Sequence, residues 1–244
     1  MHRLLSVGVI LPLPGLAPAG DRLLDSPLLA VIVVAALSLL GFAVVMLTSF
    51  VKVAVVLSVL RSALGTPQVP PTMVITGLSF VLAAYVMAPV VRHTVRVVEP
   101  DVEQIKQGGG TTAEQVQRYL STGKKATGPL RGFLEKHAHA RDRATFLAMA
   151  RRLHEPRDRA KIGSNDFLVL VPAFLTSELK EAFIIGFFLF VPFLVIDLVV
   201  GNILLALGMH MLSPTTISLP FKFLLFVLVD GWHLLTRGLI AGYM

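Results

Sequence analysis

The sequence predicts an all-α, membrane-type chain in which two apolar helical hairpins flank a small, mostly helical, water-soluble insertion. Three observations predict this class. Of the 244 residues, 55% are hydrophobic and only 15% charged, against about 25% charged in an average soluble domain. The apolar residues are bunched into uncharged stretches, each close to the roughly 20 residues that a bilayer crossing needs. Proline- and glycine-rich turns separate them, and such turns cannot continue a helix.

In chain order, residues 1–24 form an N-terminal arm. Met1 to Ala19 reads either as a secretory signal, ending in the small-residue site Ala17-Pro18-Ala19, or as an uncleaved apolar arm broken by Pro12, Pro14 and Pro18. Residues 25–91 form the first hairpin. Asp25 or Ser26 caps its first helix, with Pro27 in the first turn, where a missing N–H costs nothing. No charge occurs from Leu28 to Val51; Lys52 and Arg61 follow, then the turn Gly65 to Pro71 and a second uncharged stretch from Thr72 to Val91. Residues 92–165 are the basic hydrophilic insertion, with loops at Gly108-Gly109-Gly110 and Gly123-Lys124-Lys125. There Phe133, Leu134, Phe146, Leu147, Met149 and Leu153 make one modest apolar stripe. Residues 166–244 are the second apolar block. A helix carrying Pro172, Glu178, Lys180 and Glu181 leads into apolar stretches on either side of Asp197, with a turn at Met211-Leu212-Ser213-Pro214.

Composition excludes several functions. The chain has no cysteine, which removes disulfides, thiolate metal sites and cysteine nucleophiles. The net charge of +7 is concentrated in the insertion and suits anionic lipid head groups. No recognition motif accompanies it, so no nucleic-acid partner is expected. His137, His139 and His154 are read as solvated side chains, because histidines two apart on a helix do not share a face. No catalytic set, metal-ligand spacing or nucleotide loop emerges, so no enzyme, cofactor or metal is expected.

The informative residues are charges inside apolar blocks: Lys52, Glu178, Lys180, Glu181, Asp197, Lys222 and Asp230. An ionised group facing lipid is costly, so such groups face protein, water or each other. Their mixed signs favour ion pairs within or between subunits over a proton relay, and Glu178 with Lys222 is the preferred pair. Met209, His210 and Met211 flank the last turn. Methionine is deformable and suits closure around an irregular object, although a methionine pair is more often ordinary packing. Gly238 and Gly242 are a weak small-residue signal for close helix approach.

Longer motifs are more specific. Asp166-Phe167-Leu168-Val169-Leu170-Val171-Pro172-Ala173-Phe174 and Thr176-Ser177-Glu178-Leu179-Lys180 closely resemble the FliP/SctR (YscR) family of type III secretion export apparatus proteins. So do the stretches from Phe190 to Val199, from Leu212 to Lys222 and from Phe226 to Trp232, and, earlier, Met46-Leu47-Thr48-Ser49-Phe50 and Arg61-Ser62-Ala63-Leu64-Gly65-Thr66. The resemblance covers nearly everything but the arm and the insertion. Val200 to Gly208 and Ser213-Pro214-Thr215-Thr216 look more like the injectisome branch than the flagellar one.

The resemblance implies a non-enzymatic, pore-forming core subunit of the export gate in the bacterial inner membrane. It implies a homo-pentamer joined by SctS/FliQ-type and SctT/FliR-type subunits, with an SctU/FlhB-type switch protein, passing unfolded secretion substrates. It implies a channel gasket at Met209, His210 and Met211, where the family's usual three methionines are interrupted by a histidine. It also places the insertion on the periplasmic side, against the positive-inside expectation, which holds well only for shorter loops. An ion-coupled small-solute transporter using Asp197 and Asp230 is the competing class.

Overall fold

The structure is a computed structural model and describes residues 27–66, 68–106 and 112–244. The N-terminal arm, the Asp25/Ser26 cap and the Gly108–Gly110 loop lie outside the described residues. All regular structure among the described residues is helical: α1 Pro27–Met46, α2 Phe50–Leu64, α3 Thr72–Lys106, α4 Thr112–His137, α5 Ala140–Leu153, a 3-10 turn Arg159–Lys161, α6 Phe167–Ala206, α7 Pro214–Leu228 and α8 Gly231–Ala241.

Contacts divide the chain after Ala43. In the first unit, the part of α1 before the division exposes Val31, Val34, Leu39 and Phe42, and Ser38 returns its hydroxyl to the carbonyl of Val34 at 2.9 Å.

The second unit, from Val44 on, is organised around α2. This helix buries Val53, Val56, Leu57, Leu60, Ala63 and Leu64. They pack with Ile75 and Leu82 of α3, Ala182 and Phe193 of α6, Phe226 of α7, and Leu235 and Leu239 of α8. Gly186 makes the crossing of α2 and α6 tight: a Cβ there would meet Val59 Cγ1 at 3.0 Å. A second core joins the insertion to the apolar block, with Phe133 and Leu134 of α4 against Leu170, Ala173 and Phe174 of α6, together with Met87 and Tyr243.

Several elements differ from their expected extents. The first apolar stretch is interrupted at Leu47-Thr48-Ser49, where Thr48 bonds the carbonyl of Val45 at 3.0 Å. The second helix of the first hairpin does not stop near Val91 but continues to Lys106 through Pro89 and Pro100. The helix carrying Glu178 and the stretch beyond Asp197 are one 40-residue helix, α6, with Pro172 and Pro192 inside it. Each proline removes one backbone bond, and the neighbouring bonds and core contacts hold the helix together. The apolar stripe of the insertion splits: Phe133 and Leu134 are buried, Phe146 and Leu147 half-buried, and Met149 and Leu153 exposed. Met149 is rotated about 100° from Ala150, the buried residue of α5, and Leu153 stands on the last turn beyond it.

At 1.5 Å per residue, α6 is about 60 Å long, twice a hydrocarbon core of roughly 30 Å. Both α3 and α6 are long and apolar enough to cross a membrane, and α7 with α8, bent by 61°, makes a third span if the two act as one. The bend has a local cause. Asp230 adopts left-handed backbone, φ 50°, which aspartate tolerates better than most residues. Gly231 then lies so close to Phe226 that a Cβ would sit 2.3 Å from the ring.

Gly186→Leu should force α2 and α6 apart and lower stability by about 1–3 kcal/mol. Thermal unfolding of the purified protein in detergent reads this, and an unchanged midpoint would show that Val59 yields freely.

Candidate functional site

Lys52 stands in the first turn of α2 and is 1% exposed. Its ammonium lies 3.2 Å from Glu178 Oε1 and 2.6 Å from Glu181 Oε2. Residues three apart share a helix face, so α6 presents both carboxylates to α2. Lys180, about 200° around the helix from Glu178, is exposed. The Tyr243 hydroxyl donates to Glu178 Oε2, and its ring lies under Lys52 Nζ at 4.1 Å from the centroid. His139 Nε2 meets Glu181 Oε1 at 2.6 Å. The His139 amide donates to Ser177 Oγ at 2.9 Å, and that hydroxyl donates to Asp142 Oδ2 at 2.7 Å. One buried cation therefore ties α2, α6, the α4–α5 corner and the end of the chain together.

A second cluster braces the hairpin of α6 and α7. Lys222, also buried, lies 2.7 Å from Asp197 Oδ2 and donates to the Ala63 carbonyl at 3.1 Å. Ser218 Oγ donates to the other Asp197 oxygen. The expected Glu178–Lys222 pair is therefore not formed within the chain. Asp197 and Lys222 lie at nearly equal distances from the α6–α7 turn and meet across it, whereas Glu178 is roughly five turns, about 28 Å, farther along α6.

Beyond these pairs the hairpin ends in an exposed loop. Gly208, at φ 73°, reverses the chain after α6, and Met209 N bonds the Leu204 carbonyl at 2.9 Å. Ser213 and Pro214 start α7, and Ser213 Oγ lies 2.8 Å from Thr215 Oγ1. Met209 and His210 are exposed, and Met211 is 97% exposed. None of the three joins a core cluster.

Lys180 and Asp230 are exposed and make no ion pair among the described residues. His137 and His139 are less solvated than expected, whereas His154 is exposed, as read from the sequence. His139 is held by Glu181, His154 Nδ1 lies 2.8 Å from the Ala150 carbonyl, and the His137 ring packs 4.7 Å from Phe133 and 5.0 Å from Tyr243. Burial first, then the charges of Lys136 and Lys52, push His137 down to about 4, with Glu181 opposing. No group suited to holding a metal occurs among the described residues. Sequence reasoning missed Tyr243, Ser177 and Ser218. Ser218 had a signal, one turn before Lys222 on α7, and Tyr243 had none.

The α6–α7 hairpin is thus joined to the core by a buried ion pair and ends in an exposed methionine-bearing loop. The model of the FliP family matches residues 33–239. The chain belongs to the FliP family. Among FliP relatives, the Yop proteins translocation protein R of Yersinia pestis is 46% identical over 213 residues, 87% of this chain and 94% of the relative. The hypersensitivity response secretion protein HrcR of Ralstonia nicotianae is 43% identical over 213 residues, 87% of this chain and 95% of the relative. The flagellar biosynthetic protein FliP of Pectobacterium carotovorum is 41% identical over 235 residues, 95% of this chain and 86% of the relative. This FliP-family chain is a component of a type III secretion export apparatus, on the injectisome side of the family. The family is a structural component of that apparatus, and with its apolar helices the chain is an inner-membrane protein.

Lys52→Met should cost about 3–5 kcal/mol, because Glu178 is then a buried, uncompensated charge. The double variant Lys52→Met/Glu178→Leu should recover part of that loss in thermal unfolding; no recovery would mean that the pair is not the source. For His137 the native ring stays neutral while the unfolded one takes up a proton below about pH 6.5. Stability should therefore fall as pH drops from about 6.5 toward about 4. His137→Gln should flatten the unfolding midpoint over that window.

Proposed function

We propose that this chain is a pore-forming core subunit of the type III secretion export gate, allowing unfolded protein substrates to cross the bacterial inner membrane. The observation that carries the reading is the loop at Met209, His210 and Met211: exposed, outside every core cluster, and set on a hairpin braced by the Asp197–Lys222 pair. Flexible thioethers at such a tip suit a closure that must fit irregular objects. In this reading the three residues form a gasket around the channel, with His210 placing a titratable group among the methionines.

Copies of the chain form a pentamer, completed by SctS/FliQ-type and SctT/FliR-type subunits and an SctU/FlhB-type switch protein. The exposed apolar residues of α6 and α7, such as Phe187, Leu198, Leu224 and Leu228, are then covered by protein as much as by lipid. Residues 92–165 lie on the periplasmic side, between the hairpin of residues 25–91 and the block of residues 166–244, and residues 1–24 form the arm. Lys52, Glu178, Asp197 and Lys222 serve assembly, while Lys180 and Asp230 are left for partners. A solute transporter would need Asp197 available for protons, and here both its oxygens are engaged.

Met209→Ala/Met211→Ala in the assembled apparatus should raise ion leakage across the membrane while leaving assembly intact by native mass spectrometry. A tight barrier in a correctly assembled variant would count against the gasket.

A further inference from the structure

On α3 the uncharged run ends at Arg92, and the first charges after it fall on a face already marked by exposed apolar residues. Val74, Val81 and Tyr85 are exposed. Arg92 and Arg96, also exposed, lie within about 40° of the same line at 100° per residue. Neither arginine is in an ion pair among the described residues. Beside them α3 and α4 leave a cleft of about 290 Å³, whose lining includes Pro89 and His93 from one helix and Pro129, Gly132 and Lys136 from the other. Pro89 is three residues before Arg92 and His93 three before Arg96, so the arginines flank the cleft. Lys136 Nζ donates to the main-chain oxygens of Tyr243 at 3.5 Å and Met244 at 3.0 Å, which leaves one of its three hydrogens. Gly132 keeps the cleft open, since a Cβ there would meet nothing within 4 Å.

We propose that this cleft holds the phosphate headgroup of an anionic phospholipid, met by Arg92, Arg96, His93 and Lys136, with an acyl chain lying along Tyr85, Val81 and Val74. The inference needs α3 to meet lipid and makes no use of the gasket. An apolar stripe with a cationic end matches an amphiphile with an anionic end. A free phosphate would use the cations and leave the stripe bare; an apolar helix would cover the stripe and leave the cations unmatched. Val81 stands about 16 Å before Arg92 along the helix, the depth of one leaflet in a hydrocarbon core of roughly 30 Å. At about 30 Å³ per water, the cleft has the room of roughly ten waters, enough for a phosphate and the atoms esterified to it. Guanidinium groups offer planar, forked donors suited to phosphate oxygens, and basic pockets beside spanning helices are a known form of headgroup site. The next charge on that face, Glu99, comes one turn beyond Arg96 and away from the stripe, so it bounds the cationic site on its water side.

The test titrates the full chain, purified in an uncharged detergent, with phosphatidylglycerol, with phosphatidylcholine and, separately, with inorganic phosphate. Thermal unfolding and native mass spectrometry are read for each. Phosphatidylglycerol should raise the unfolding midpoint and stay bound as one molecule; the other two, at the same concentration, should do neither. An arginine near an anionic lipid surface contributes about fivefold in binding, so Arg92→Gln/Arg96→Gln should weaken phosphatidylglycerol roughly 25-fold. Gly132→Leu puts a side chain into open space and should abolish retention while leaving the lipid-free midpoint unchanged. Arg141→Gln/Arg152→Gln removes two exposed charges from α5 and should leave binding as it was. Equal retention of phosphatidylcholine, equal stabilisation by inorganic phosphate, or an equal loss in the α5 variant each overturns the proposal. So does retention unaltered in the Arg92/Arg96 variant. Phosphatidylglycerol bound to the single chain but absent from the assembled apparatus assigns the face to a neighbouring subunit and overturns it as well.

Discussion

Lys52 occupies a position where an ammonium ion is tolerated only because two carboxylates and an aromatic face meet it. Desolvating such a charge costs several kcal/mol, and geometry must return most of that. Here it comes from three separate parts of the chain: Glu178 and Glu181 on α6, the Tyr243 ring near the chain's end, and, through Glu181, His139 at the α4–α5 corner. Displacing any of these elements leaves a charge without its complement. The polar cluster therefore acts as a registration mark for the packing around it. Apolar contacts alone tolerate sliding; a buried lysine facing two glutamates does not.

The Asp197–Ser218–Lys222 cluster does the same for the other end of α6. It fixes α7 against α6 and, through the Ala63 carbonyl, against the end of α2. Both buried lysines thus converge on α2, one at each end of that helix. The exposed loop beyond the second cluster gains its placement from these pairs, since its own residues contribute nothing to the core. Rigid arms carrying an adaptable tip are what the proposed gasket requires.

Much of the helical architecture is legible in the sequence, because uncharged stretches and proline-glycine turns mark helices directly. The turn after Leu64 is plain from Gly65 to Pro71. The break at Leu47-Thr48-Ser49 is not, since no proline or glycine marks it and Thr48 caps its own local turn. Continuity of α6 is hidden for the opposite reason: Asp197 reads as a division between two apolar stretches, and packing overrides it. The charged residues were identifiable as significant from their apolar surroundings, but their partners were not. Which lysine meets which glutamate depends on where α2 crosses α6, a tertiary fact decided by small residues such as Gly186. Lys222 and Asp197 are a partial exception, because two positions equidistant from a hairpin turn face each other. The family motifs carried the functional reading further than helix physics could.

The length of α6 has its own consequence. A mostly apolar rod twice as long as a hydrocarbon core is not positioned by hydrophobic matching alone. Between its charged positions, sliding it along the membrane normal exchanges one apolar residue for another, and the energy changes little along that part of the path. What holds it at one height is whatever grips it from the side. For this helix, depth in the membrane is a property of the assembly around it, and lipid composition is a weak lever on it.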